Sequence, residues 1–161
     1  MGIRAQRLAL AAIVVAGVGG CGEARPTIDA QSVDSFSFVR DEADLLSPGQ
    51  QRRAERELRE IADRTGVFGV LVTAGGDEAI DPPQIYRPIV AEVEGLGGEA
   101  LITICTPEAC GPDAGTAHTD GLEDAVEMVG AESIPPGQGR NLNRGIREWM
   151  EYVGAVAAAN R

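Results

Sequence analysis

Apolar positions change their period several times along the chain after residue 35, and each change predicts an element. In the stretch SFSFVRD, Phe36 and Phe38 alternate with serines as in a short strand or an extended arm. Ser47-Pro48-Gly49-Gln50 then supplies an N-cap, a proline at the first helical position and a glutamine three residues after the cap, the makings of a capping box. The helix this opens runs to about Arg64. It carries Ala54, Leu58, Ile61, Ala62 and Thr65 on one face and a Glu55–Arg59 pair opposite, with Gly66 placed to close it in a left-handed turn. Val67–Thr73 is continuously apolar, the pattern of a central strand covered on both faces.

Asp81-Pro82 resembles another helix start, leading through Ile85, Ile89 and Val93, with Pro88 predicting a kink or a late start. Ala100–Cys105 reads as a second core strand, and Thr106–Ala109 as a hairpin-length loop returning the chain to Cys110. The return strand, near Asp113 to Thr119, is interrupted by Gly115 and preceded by Pro112, so it is predicted to be a weak edge. Leu122, Val126 and Val129 stripe a short helix from Gly121, and Ser133–Gly139 is a loop. A last helix from about Asn141 turns Leu142, Ile146, Trp149, Met150, Val153 and Val156 to the core. This order argues for an α/β fold with helices on both sides of one small mixed sheet, over residues 36–161.

Before this domain the pattern is different. Arg4 and Arg7 precede an apolar run, Leu8–Gly20, that is shorter than the roughly 20 residues needed to cross a bilayer, so residues 1–20 read as a cleaved signal peptide. Val18-Gly19-Gly20-Cys21 resembles the lipobox of bacterial lipoprotein signals, which implies acylation of Cys21 and attachment to the extracytoplasmic face of a membrane in the cell envelope. An ordinary secretory signal and an uncleaved anchor are the alternatives. Residues 22–34 are small, polar and without apolar period, so 21–35 is expected to be a flexible tether.

Composition sharpens this picture. Removing residues 1–20 leaves 141 of the 161 residues, enough for one core and one domain, and takes the formal charge from −11 to −13. No lysine occurs. Such an acidic surface is expected to repel nucleic acid and anionic lipid headgroups and suits cations, basic partners or plain solubility. With Cys21 assigned to the lipid, Cys105 and Cys110 remain as a pair in a disulfide-permissive compartment. A zinc site is disfavoured because the chain has one histidine.

Val39-Arg40-Asp41-Glu42-Ala43-Asp44-Leu45-Leu46-Ser47 resembles the opening signature of the TPM-domain family, V-x-D-x-A-x-L-L-S followed by an amphipathic helix. The likeness continues through Val67–Thr73, Tyr86, Ala100–Cys105 with Pro107-Glu108 at its turn, and Gly121-Leu122-Glu123. It implies a Rossmann-like three-layer α/β/α domain outside a membrane. Phosphatase activity and calcium binding are attributed to some members and an accessory role to others. The acidic positions carried over are Asp41 and Glu123. The chain departs from the family at Gly97-Gly98-Glu99, at Thr119-Asp120, and in a hairpin remodelled by two cysteines.

A calcium ion needs six to eight oxygen ligands, and Asp41, Asp44, Asp120, Glu123 and Asp124 could supply several if the two motifs lay side by side at strand ends. The alternative is that these acids favour the positive ends of the helices they precede. No nucleophile elbow, phosphate loop or C-x5-R loop is present. His118 could act as an acid or base, but a surface histidine on an edge strand is the commoner case, and Trp149 with Met150 reads as core. The favoured reading is an anchored accessory or binding module with an envelope or membrane protein as partner and a weak calcium site. A metal-assisted phosphomonoesterase using Asp41 and Glu123 is the alternative.

Overall fold

The computed structural model describes residues 30–75, 81–112, 116–130 and 141–161. The signal peptide, Cys21, most of the tether and the loop Ser133–Gly139 lie outside the described residues. The elements are α1 (Ala30–Ser35), β1 (Val39–Asp41), α2 (Pro48–Thr65), β2 (Val67–Thr73), α3 (Pro82–Gly95), β3 (Glu99–Cys105), β4 (Thr116–His118), a 3-10 turn (Asp120–Leu122), α4 (Glu123–Val129) and α5 (Leu142–Ala159). One four-stranded sheet has the order β1-β2-β3-β4, with β1 to β3 parallel and β4 antiparallel at the edge. Val67 pairs with Glu99 at one end of the sheet, and Asp41, Thr73 and Cys105 share a row at the other.

The helix boundaries follow local chemistry. Ser47 accepts the Gln50 amide while the Gln50 side chain accepts the Ser47 amide, so the capping box forms, and Gly66 closes α2 at φ 78°. Asp81 occupies the N-cap position of α3 without a side-chain cap bond; instead the Gln84 side chain donates through Nε2 to Asp81 Oδ2 at 2.8 Å. α3 begins at Pro82 and contains Pro88, so of the kink or late start expected of that proline the late start does not occur. Gly121 lies in the 3-10 turn that feeds α4.

The sheet is covered on both faces. Gly69 in β2 lies against Leu58 of α2 and Val153 of α5, so close that a Cβ there would come within 2.9 Å of Leu58 and 2.6 Å of Val153. On the other side of the pleat, Arg40 of β1 reaches Glu92 of α3 at 2.6 Å. This is the α/β/α arrangement expected, with α2 and α5 in one layer and α3 in the other. Phe68, Leu71, Leu101, Ile102 and Trp149 are fully buried between them.

Order begins earlier than the pattern suggests. Residues 30–35 are helical and Val33 is buried, where a tether was expected. Phe36 and Phe38 are both buried, packing edge-on to each other at 4.9 Å, and both rings meet Phe68. Burying two phenylalanines offsets the entropy of ordering the short segment before them. Arg59 of α2 completes the attachment by donating to the Val33 and Phe36 carbonyl oxygens. Glu55, expected as a solvent-facing partner of Arg59, sits 3.7 Å from it but directs its carboxylate to the Phe38 and Val39 amides and the Ser37 hydroxyl.

Cys105 and Cys110 form a disulfide with Cα atoms 4.2 Å apart. The loop between them is closed by the Thr106 amide donating to the Ala109 carbonyl at 2.7 Å. Its far end rests on α5, where the Cys110 carbonyl oxygen would lie 2.5 Å from a Cβ at Gly145.

Candidate functional site

Asp41 ends β1 at the carboxyl edge of the parallel strands, the usual ligand position in an open α/β sheet. Its carboxylate is fully engaged by the protein. Oδ1 accepts the Leu45 amide at 2.9 Å and the Thr73 hydroxyl at 2.6 Å; Oδ2 accepts the Leu46 amide at 3.0 Å and the Gln51 side-chain amide at 2.7 Å. Thr73 in turn accepts the Ala43 amide at 3.1 Å. Burial on its own would raise the Asp41 pKa, but the bonds from Thr73, Gln51, Leu46 and Leu45 together outweigh it and hold the carboxyl below its ordinary value. The arrangement ties β1, the following loop and α2 to the end of β2. Asp44 lies in that loop, exposed, with a left-handed backbone at φ 52° that Asp accommodates better than branched residues.

The other predicted ligands are elsewhere. Because β4 is antiparallel, the chain leaving it emerges at the opposite end of the sheet from Asp41; the Thr119 amide donates to Ala100 at the start of β3. Asp120, Glu123 and Asp124 follow from there, exposed, with Glu123 and Asp124 in the first turn of α4. Five residues of strand and two strand spacings separate the two motifs, about 20 Å. The expected shared calcium site of Asp41, Asp120, Glu123 and Asp124 is therefore not assembled. Among the described residues no group of three or more His, Cys, Asp and Glu is placed to hold a metal ion. Glu123 and Asp124 instead complement the positive end of α4.

Two of the shallow grooves among the described residues carry clustered charge. One, of about 450 Å³, lies between the end of α3 and the edge strand β4 and is lined in part by Glu94, Glu99, His118 and Asp120. His118 is exposed there, with Nδ1 3.2 Å from the Thr119 carbonyl oxygen. Glu99 accepts the Thr119 hydroxyl and packs beneath Gly121, and Thr119 accepts the Ala100 amide, so this carboxylate braces the sheet end. The larger groove, about 540 Å³, runs between α2 and the segment Ser37–Val39 and is lined by Arg52, Arg56, Arg59 and Glu55.

Glu55 and Arg59 are the residues that sequence reasoning assigned too little. Their helical spacing suggested a surface pair, and nothing local signals that both would face a segment some 20 residues earlier. Thr73 carries a fainter signal, as the one hydroxyl closing a wholly apolar strand. Comparison with protein-family models finds no match, and no curated protein matches the chain.

Proposed function

We propose that the chain is a lipid-anchored accessory module of the bacterial cell envelope, a TPM-like domain that holds an envelope or membrane protein partner rather than turning over a substrate. The observation that carries this reading is the state of Asp41. A phosphomonoesterase of the kind the resemblance implies would use Asp41 and Glu123 as metal ligands, yet the Asp41 carboxylate already accepts four protein donors and Glu123 lies about 20 Å away. The leader ending at Cys21, the charge of −13 without it and the missing nucleophile motifs support the same reading.

Mass spectrometry of the protein isolated from membranes tests the anchor, with an acylated Cys21 expected and a free thiol or an intact leader overturning it. Assay of the purified protein with a generic phosphate ester and a series of divalent metals should detect no turnover. Turnover that disappears in Asp41→Ala and Glu123→Ala would replace the accessory reading by the enzyme. Crosslinking in the native membrane followed by identification of the adduct should yield an envelope protein.

A further inference from the structure

The arginine-lined groove stands out against the rest of this acidic surface. Arg52, Arg56 and Arg59 fall at i, i+4 and i+7 on α2, on one stripe of the helix, and line the groove together. The carboxylate among them, Glu55, is taken up by the Ser37 hydroxyl and the Phe38 and Val39 amides. Arg59 is anchored on the Val33 and Phe36 carbonyls, with Asp34 at 3.8 Å. Arg52 and Arg56 are exposed and, among the described residues, have no ion-pair partner, whereas Arg53 one position along is paired with Glu57 at 2.7 Å.

The position of this stripe gives it an occupant. The groove's second wall is Ser37–Val39, the continuation of α1, so the chain enters the domain from its N-terminal side beside Arg59. Only eight residues, 22–29, separate Cys21 from Ala30, a reach of at most about 30 Å. A domain with a charge of −13 is repelled by an anionic bilayer on most of its surface and turns its arginine-lined groove toward it. Guanidinium forks suit phosphate oxygens.

We propose that the Arg52–Arg56–Arg59 groove docks on the phosphate headgroups of anionic phospholipids in the membrane that carries the anchor, holding the domain in a fixed orientation. The proposal rests on the lipid-anchor reading, and extends it from attachment to orientation. In the docked state α2 and the β1 edge of the sheet face the bilayer. The rest of the acidic surface is then turned toward the partner.

The single tryptophan, Trp149, lies in α5 and serves as a built-in probe. The full acylated protein is reconstituted in phosphatidylcholine vesicles with and without phosphatidylglycerol, each carrying a dansyl-labelled lipid. Flotation with the vesicles reports the anchor, and energy transfer from Trp149 reports docking. Transfer should be stronger in the anionic vesicles and fall at high salt. Each of Arg52→Gln and Arg56→Gln should lower the docked fraction, relative to the free, about fivefold. Arg53→Gln should change it less. Flotation with equal transfer in both vesicle types, or an unchanged Arg52→Gln/Arg56→Gln variant, overturns the docking alone. An equal loss in Arg53→Gln overturns the assignment to the groove. Failure to float with the neutral vesicles overturns the anchor, and the docking falls with it.

Discussion

Asp41 illustrates how a residue can be conspicuous in the sequence while its role is not. The motif Val39-Arg40-Asp41 points to it, but its partner Thr73 lies 32 residues further on and becomes a neighbour only through parallel pairing of β1 and β2. Asp41→Ala leaves the Leu45 and Leu46 amides without their charged acceptor and should lower stability by about 2 to 3 kcal/mol, measured by urea unfolding at neutral pH. The pH dependence follows from the lowered pKa. The carboxylate's contribution is complete above the unfolded value of about 4 and disappears as pH falls through the lower folded value, so wild type and variant should converge in acid. A gap that persists unchanged in acid would mean the side chain contributes by packing. Glu55 was harder to read still, because the amides it holds belong to a segment whose burial depends on Phe68.

Elements were legible where their signals were local. The capping box of α2, the apolar run of β2 and the core stripe of α5 all depend on residues within a few positions of each other, and each formed as expected. Tyr152 and Ala157 join the buried face of α5 as well, because that helix packs against both α2 and α4 and buries a wider arc than a single stripe. The ordering of α1 was not legible, since six residues of weak propensity are held by Arg59 from another helix. Gly145 shows the same dependence in reverse. In an isolated helix Gly145→Ala would gain about 1 kcal/mol. Here the new methyl meets the Cys110 carbonyl, and the expected outcome is a loss of about 1 to 3 kcal/mol in thermal or chemical unfolding.

At the scale of the whole molecule, the sheet decides which motifs meet. The antiparallel β4, the weak return strand expected after Cys110, sends Asp120 and Glu123 to the end of the sheet away from Asp41, so the hairpin itself separates the two acidic motifs that were expected to meet. The disulfide was legible from cysteine arithmetic. It closes a small loop, so reduction should cost about 2 kcal/mol, read as a fall in melting temperature that Cys105→Ser/Cys110→Ser reproduces and reductant no longer deepens. The opposite edge of the sheet has its own closure. The Leu71 amide pairs with Phe38 on the inner side of β1, which leaves Val39 facing outward, and there its amide is held by Glu55 and its carbonyl by the Ser37 hydroxyl. An open strand edge is a template on which identical chains stack and aggregate. Two side chains from the same molecule occupy that template here, so copies crowded together have no free rung at Val39 on which to polymerise.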